Sequence, residues 1–155
     1  GRAVNPGHAI ASMWFQIPSL KRRGDLGRLE RALATIRRHL EVGWDSEYGG
    51  LLHGIDAEGR QPPFLKHADA KLWWPVTEAL YALLLAHSVC GESWCLEWYR
   101  RLHDYSFTHF PVKGHGEWAQ RLDRRGRPID TVVALPVKDP FHLPRALIMA
   151  VGLLE

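Results

Sequence analysis

The sequence predicts an all-α protein built from α/α hairpins, with short β-hairpin insertions between them. Two observations carry this prediction. Apolar side chains recur at spacings of three and four along several segments, which is the period of an amphipathic helix. Two short extended segments also interrupt the helices, and each ends in the pattern Asp-x-x-Gly-Arg, starting at Asp56 and at Asp123, an offset of 67 residues. An internal repeat of two helices and a hairpin explains this offset, and such units stack on their neighbours to bury their apolar faces.

The longest helical pattern covers residues 25–41, where Asp25 is a good N-cap. Its apolar positions are Leu26, Leu29, Leu33, Ile36 and Leu40. A second helix is predicted over 74–89, with Pro75 in its first turn, and a third over 93–109. One side of the third helix carries Trp94, Trp98, Leu102 and Tyr105. The two extended segments, 49–60 and 116–127, are expected to form tight hairpins because Asp begins and Gly ends each turn.

Two further helices are expected after Asn5-Pro6 and after Asp139-Pro140. Pro18 should kink or end the first of these, because proline removes a backbone donor from a helix interior. Both helices place a histidine in the first turn: Asn5-Pro6-Gly7-His8 reads as N-cap to N3, and Asp139-Pro140-Phe141-His142 reads in the same way. The start of the second is uncertain by one turn because of Pro144, but His142 begins a helix in either register.

Composition places the chain among ordinary soluble globular domains, with 46% hydrophobic and 24% charged residues in 155 positions. We expect one domain spanning residues 1–155. The net charge of +3 comes from short basic groups such as Lys21-Arg22-Arg23, without interleaved aromatic residues, so nucleic-acid binding is not indicated. No run of 18 apolar residues is present, so no membrane span is predicted. The seven tryptophans fit core packing, and they also suit stacking on sugar rings.

The two cysteines, Cys90 and Cys95, are expected to be reduced thiols in a cytoplasmic protein, because no secretory signal peptide is recognisable. A disulfide across so short a loop remains an alternative. A zinc site that includes His87 is not indicated, because the second pair of ligands at the usual spacing is missing.

The two helix-start histidines are candidate acid/base groups. The positive end of the helix dipole disfavours imidazolium, and a neutral histidine can accept a proton. Two such groups on opposite faces of a substrate would remove a proton and return it. The alternative is that both are structural residues of the helix start. On the helix over 74–89, Trp74 and Glu78 share a face at i, i+4, which suits a sugar ring stacked on the indole. Arg145 follows His142 by three residues and is a candidate for stabilising an enolate oxygen.

Four motifs occur in order along the chain: Asn5-Pro6-Gly7-His8, Lys71-x-Trp73-Trp74-Pro75-x-x-Glu78-Ala79, Gly116-Glu117-Trp118 and Phe141-His142-x-Pro144-Arg145. Together with Asp45-x-x-x-Gly49-Gly50 they resemble the N-acylglucosamine 2-epimerase family. That group includes renin-binding protein, and cellobiose 2-epimerases and aldose–ketose isomerases are related to it. The resemblance covers essentially the whole chain.

The resemblance implies an (α/α)6 toroid of twelve helices, of which this chain would supply the C-terminal portion. It implies an isomerase without metal or other cofactor, acting on a small open-chain sugar through removal of the C2 proton and a cis-enediolate. The positions that match the family's acid/base histidines are His8 and His142. The positions that match its substrate-binding residues are Lys71, Trp73, Trp74, Glu78, Trp118 and Arg145.

Three departures from the family pattern stand out. Ala11 occupies the position, three after His8, where the family commonly has a Glu that orients the imidazole. Met13 stands where a small residue is common, and Val137 where an aromatic residue is usual. Two functional hypotheses therefore remain: a sugar 2-epimerase or aldose–ketose isomerase whose site is completed by other helices, or a non-catalytic carbohydrate-binding or interaction module. An open arc of hairpins also predicts a homo-oligomer, most simply a two-fold dimer, or another chain that completes the barrel.

Overall fold

The computed structural model describes residues 1–59, 66–131, 138–139 and 141–155. These residues form five α-helices: α1 Pro6–Arg23, α2 Leu26–Gly43, α3 Trp73–Cys90, α4 Ser93–His109 and α5 His142–Leu154. Short antiparallel pairs join the loops, and their strands are β1 Ala3–Val4, β2 Ile55–Asp56, β3 Lys71–Leu72, β4 Pro111–Val112, β5 Glu117–Trp118 and β6 Arg121–Leu122. The pairs are β1 with β2, β3 with β6, and β4 with β5. No helix in the part of the chain that the structure describes is long and apolar enough to cross a bilayer.

Side chains of the expected type cap the first two helices. The Asn5 Oδ1 accepts a hydrogen bond from the backbone N–H of His8 at 2.9 Å, and the Asp25 Oδ1 accepts one from the N–H of Arg28 at 3.1 Å. Each cap satisfies one of the backbone donors that a helix start leaves without an internal partner. Helix α1 ends at Gly24, whose φ of 67° is the left-handed conformation that glycine adopts without a Cβ penalty.

The expectation for Pro18 was wrong in part, because helix α1 does not end there but continues to Arg23. A proline in a helix interior costs about 3 kcal/mol. On the buried side of this helix lie Ile17 and Leu20, which are 0% and 8% exposed. Full burial of two such side chains contributes about 3–6 kcal/mol, so packing of α1 against its neighbours outweighs the missing backbone bond.

Helix α5 begins at His142, with Phe141 as its N-cap, rather than with Asp139 as the cap. The Asp139 Oδ1 nevertheless accepts hydrogen bonds from the backbone N–H groups of Phe141 and His142, at 2.9 and 3.2 Å. The carboxylate therefore binds the helix start from outside it. The expectation that His142 lies at a helix beginning is confirmed.

The predicted repeat is visible in the strand pairs. Val4 pairs with Ile55 in β1–β2, and Lys71 pairs with Leu122 in β3–β6. From the first pair to the second, both partners move along the sequence by the repeat offset of 67 residues. Matching turns follow: Gly59 N–H donates to Asp56 O at 2.9 Å, and Gly126 N–H donates to Asp123 O at 3.0 Å. The second turn closes a hairpin, with Leu122 bridged to Pro128. The return strand predicted for the first segment lies outside the described residues.

Helix α3 is central, since it packs against α1, α4 and α5. It is buried nearly all round, as expected for a helix with apolar residues on every side. Gly7 allows α1 to approach it closely. A Cβ at Gly7 would lie 2.6 Å from the Cβ of Pro75 and 2.9 Å from the Cη2 of Trp74. This close approach carries the start of α1, with His8, onto the Trp74 ring.

Candidate active site

A cavity of about 500 Å³ opens where helices α1, α3 and α5 begin. The first turns of these three helices thus converge on one concave surface. The described residues that line it are His8, Ala11, Ser12, Phe15, His53, Trp73, Trp74, Glu78, Gln120, Asp139, Phe141, His142 and Arg145. A larger depression of about 890 Å³ lies beside α2 and contains none of the predicted site residues.

The Glu78 carboxylate is the buried anchor of this cavity, with a side chain 1% exposed. Its Oε2 accepts a hydrogen bond from the Trp14 indole N–H at 2.8 Å. Its Oε1 lies 2.6 Å from His142 Nδ1 and also accepts a hydrogen bond from the Arg145 guanidinium. The carboxylate therefore joins α1, α3 and α5. The family resemblance assigned Glu78 to substrate binding, and in the structure both of its oxygens accept hydrogen bonds from protein donors.

These donors decide the charge state of Glu78. Burial alone would raise the pKa of the carboxyl, because desolvation disfavours the charged form. The hydrogen bonds from His142 and Trp14 and the charge of Arg145 act in the opposite direction, and together they hold the pKa below its ordinary value. Glu78 is therefore ionised at neutral pH, and it interacts with the nearby cations and N–H groups as a full negative charge.

The bond to Glu78 fixes the chemistry of His142. A carboxylate accepts but does not donate, so His142 must carry its proton on Nδ1. The neutral ring then has its lone pair on Nε2, which is the tautomer that a carboxylate selects in acid/base histidines. His142 Nε2 lies 4.0 Å from an Asp139 carboxylate oxygen, beyond hydrogen-bond distance. The ring is thus oriented with one nitrogen held by protein and the other directed away from Glu78.

Trp74 contacts both predicted histidines. The centroid of its ring is 4.7 Å from that of His8 and 5.5 Å from that of His142. Trp73 meets His142 edge-on at 6.0 Å and is otherwise buried. The structure therefore brings the helix-start histidines, the tryptophan pair, Glu78 and Arg145 to a single cavity.

His8 and His142 are not equivalent. His8 is exposed, and only its backbone N–H has a side-chain partner, Asn5; within the described residues its ring makes no hydrogen bond. One turn along α1, the half-buried Ala11 lines the cavity where a carboxylate would be able to reach the imidazole. Met13 packs against the core. Val137, the third departure from the family pattern, lies outside the described residues.

Lys71 lies outside the cavity. Its side chain is 0% exposed, with Nζ 3.3 Å from an Asp45 carboxylate oxygen and donating to the carbonyl oxygen of Arg124. Burial lowers the pKa of Lys71, and the charge of Asp45 partly offsets this. The predicted contact with substrate is therefore replaced by an ion pair that ties β3 to the loops after α2 and β6.

Trp118 also lies outside the cavity, contrary to its assignment as a substrate-binding residue. It is buried, and its ring stacks on Phe110 at 5.5 Å and meets Phe107 edge-on at 5.2 Å. Its neighbour Glu117 binds Lys138 at 2.5 Å. The Gly-Glu-Trp motif thus anchors the end of α4 rather than contributing to the cavity.

Sequence reasoning missed Trp14 and His53. Trp14 meets Glu78 across 64 positions, so no local spacing indicates their pairing. For His53 a signal was present, because the repeat offset of 67 residues relates it to Gln120. His53 and Gln120 both line the cavity, whereas Trp14 lies behind it and reaches it only through its bond to Glu78. Within the described residues, no group of three His, Cys, Asp or Glu side chains is arranged to hold a metal ion.

Comparison with known proteins decides the family. The family profile of N-acylglucosamine 2-epimerase (GlcNAc 2-epimerase) matches residues 1–146. The chain belongs to this family. It is 36% identical to the N-acylglucosamine 2-epimerase of Bos taurus over 164 aligned positions and 35% identical to that of Homo sapiens over 153. A D-mannose isomerase of Pseudomonas cannabina pv. alisalensis is 26% identical over 156 positions.

Solved structures confirm the fold expected from the resemblance, a partial (α/α)6 toroid. A D-mannose isomerase superposes with a TM-score of 0.82 at 21% identity, covering 96% of this chain and 38% of its own. The cellobiose 2-epimerase of Bacillus thermoamylovorans B4167 gives 0.76 at 22% identity, covering 97% and 38%. The alignment with the Bos taurus enzyme covers 100% of this chain but only 37% of that enzyme. The alignment with the Homo sapiens enzyme covers 96% of this chain and 35% of that enzyme.

The buried charge of Glu78 predicts a pH-dependent stability. Because the folded-state pKa lies below the unfolded value of about 4.3, the stabilisation is complete above that pH and is lost as the pH falls through the folded-state pKa. Glu78→Gln should therefore lower the free energy of unfolding at pH 7 by about 3 kcal/mol, and should flatten its decline below pH 5. Urea titrations between pH 3 and 7 measure both effects.

Glu117→Gln is the matched control. The pKa of the Glu117 carboxyl is also lowered, in this case by Lys138, but its side chain is 56% exposed. We expect the control to change the free energy of unfolding by less than about 1 kcal/mol. Equal effects of the two substitutions, or an unchanged acid slope in Glu78→Gln, would show that Glu78 is not the buried charge that joins the three helices.

Proposed function

We propose that the cavity is the proton-transfer site of a sugar 2-epimerase. One observation carries the proposal: His8 and His142 both contact the same indole, Trp74, and all three line one cavity. Inversion at a carbon next to a carbonyl needs a base on one face and an acid on the other. A sugar chain held against Trp74 between the two imidazoles would present its C2 to both.

His142 is the better prepared of the two groups. With Nδ1 bound to the ionised Glu78, its Nε2 accepts the C2 proton, and the carboxylate stabilises the imidazolium that forms. The C2 electron pair then moves into the C1 carbonyl to give a cis-enediolate. His8, protonated from solvent as imidazolium, gives its proton to C2 from the other face and is left neutral, while His142 returns its proton to solvent; the roles reverse for the return reaction. The C2–H bond and the C1=O double bond are both lost when the enediolate forms and both restored on reprotonation, so the proposed steps balance without an oxidant or a reductant.

Arg145 has two tasks in this proposal. One guanidinium N–H holds Glu78, and the group stacks with its Cζ 4.0 Å from the centre of the Phe141 ring. A guanidinium carries five N–H donors, so others remain for the oxygen on which negative charge develops. Trp74 and Trp73 supply the apolar surface for the sugar chain. The family relatives at 34–36% identity are N-acylglucosamine 2-epimerases, so an N-acylated hexosamine is the proposed substrate.

The test is exchange of the sugar C2 proton with deuterated water, followed by NMR with N-acetylglucosamine, D-mannose and cellobiose. It uses the full-length polypeptide. His142→Ala should lower exchange by about 10²- to 10⁴-fold, which is the usual contribution of general acid/base catalysis. Ala11→Glu should increase exchange, because a carboxylate one turn from His8 orients the ring and raises its basicity. His115→Ala, in an exposed turn, is the control and should leave exchange unchanged.

If Ala11→Glu changes nothing while His142→Ala removes exchange, His8 is already competent and the account of position 11 is wrong. If neither substitution matters, the acid/base roles of both histidines fail together. Product analysis in the same samples separates two outcomes of one enediolate, because reprotonation at C2 gives the epimer and reprotonation at C1 gives the ketose. The 26% identity to a D-mannose isomerase makes the isomerase a specific alternative.

A second candidate function is a non-catalytic carbohydrate-binding module. The observation that favours it is the His8 ring, which lacks an orienting hydrogen bond within the described residues and has Ala11 beside it. Such a module would bind the same sugars without C2 exchange in any variant. Sugar binding by the native protein with no exchange, and none gained by Ala11→Glu, would therefore favour the module.

We also propose that the exposed apolar face of α5 binds a second copy of this chain. Leu147, Ile148, Val151 and Leu154 lie on this helix and are 46–73% exposed, and apolar patches of this kind mark association sites. A two-fold dimer covers the same patch on both copies. Light scattering at high micromolar concentration should give the dimer mass, and Ile148→Glu should shift it to the monomer. A monomer in the native sample would refute the proposal.

A further inference from the structure

His53 lies in the loop between α2 and β2 and belongs to the cavity wall. Its backbone N–H donates to the carbonyl oxygen of Ala70 at 2.8 Å, and the next N–H, of Gly54, donates to Ala68 at 2.9 Å. These two bonds hold the loop against the segment that leads into β3. The backbone at His53 is therefore fixed relative to β3, and with it the point on the cavity wall from which the side chain extends.

The His53 ring carries an unsatisfied polar atom. The residue is only 6% exposed, and its Nδ1 is buried without a hydrogen-bond partner in the part of the chain that the structure describes. Buried polar atoms almost always have partners, because an unpaired one costs free energy without return. Because His53 lines the cavity, a molecule bound there is the partner that would complete the hydrogen bonding of this ring.

The chemistry of the ring narrows the kind of partner. Burial lowers the pKa of His53, a hydrogen bond with the His67 backbone acts in the opposite direction, and the charges of His8 and His67 lower the pKa further. The neutral imidazole has one donor and one acceptor nitrogen. A hydroxyl group is both donor and acceptor, so it fits either tautomer. The repeat-equivalent Gln120 also lines the cavity, which adds an amide of the same dual character.

We propose that His53 is a sugar-binding residue whose Nδ1 forms a hydrogen bond to a hydroxyl group of the substrate. This inference rests on the proposed function, since it concerns the ligand of the same cavity. His53 takes no part in proton transfer: it holds the sugar chain so that C2 lies between the two acid/base histidines. It therefore contributes to substrate affinity and to the choice among sugars that differ in hydroxyl configuration.

Three substitutions separate the role of Nδ1 from that of ring volume. An Asn side chain places its amide near the position of Nδ1, a Gln side chain places it near Nε2, and Phe keeps the planar ring without either nitrogen. Calorimetric titration of the full-length protein with N-acetylglucosamine gives the affinity of each variant. His53→Phe and His53→Gln should weaken binding about threefold to tenfold, the effect of one hydrogen bond. His53→Asn should stay within about twofold of the native value. In C2-exchange kinetics the loss should appear in KM, with kcat changed little.

A direct readout on the native protein complements the variants. With ¹⁵N-labelled histidine, the Nδ1 resonance of His53 should shift when N-acetylglucosamine is added, while that of the exposed control His115 should not. Sugar binding that is unaffected in His53→Phe, or a native Nδ1 resonance that does not move, overturns this inference and leaves the epimerase proposal standing. If the native protein neither binds nor exchanges any of the three sugars, the proposed function fails and this inference fails with it.

Discussion

The arrangement of the cavity depends on one buried carboxylate. Glu78 lies on the central helix and binds Trp14 from α1 and both His142 and Arg145 from α5. A buried charge of this kind is strongly unfavourable unless each of its lone pairs has a donor. The three helices must therefore adopt the one arrangement that supplies all of these donors. The same bonds that satisfy the charge also orient the His142 ring, so stability and the geometry of the site have a common cause.

A second buried carboxylate, Asp45, holds the loops together as Glu78 holds the helices. The Asp45 carboxylate, 3% exposed, binds Lys71 and Arg124 and accepts backbone N–H bonds from Glu47 and Tyr48. Burial would raise the pKa of Asp45, but the bonds from Arg124 and from the two backbone N–H groups hold it below its usual range. These contacts fix the loop after α2 relative to β3 and β6. Asp45 belongs to the loop that also carries His53, and Arg124 belongs to the hairpin that begins next to Gln120.

Local sequence signals predicted the helices well, because periodicity and capping are properties of neighbouring residues. The helix over 93–109 was predicted with the bounds that the structure has, and the start of α2 was predicted within one residue. Pro18 was misjudged because the burial of Ile17 and Leu20 is a tertiary effect that outweighs a local preference. The N-cap of α5 lies two residues later than predicted, at Phe141 rather than Asp139, and Asp139 bonds the backbone from outside the helix.

The sequence predicted which residues line the cavity better than it predicted the contacts that each of them makes. His8, His142, Trp73, Trp74, Glu78 and Arg145 do line one cavity, whereas Lys71 and Trp118 do not. Motif matching assigns positions, but it does not say which side chain bonds which. The bond from Trp14 to Glu78 and the ion pair of Lys71 with Asp45 join residues far apart in sequence, so only the folded chain reveals them. They turn Glu78 and Lys71 from expected sugar contacts into buried structural charges.

The tautomer of His142 shows whether Glu78 organises the cavity. Long-range ¹H–¹⁵N NMR of the ring nitrogens distinguishes a protonated Nδ1 from a protonated Nε2. If Glu78 organises the site, the neutral ring carries its proton on Nδ1, and Glu78→Gln changes the Nδ1 resonance while leaving that of the exposed His115 unchanged. A ring protonated on Nε2, or His142 signals that are identical in the native protein and in Glu78→Gln, would contradict the account.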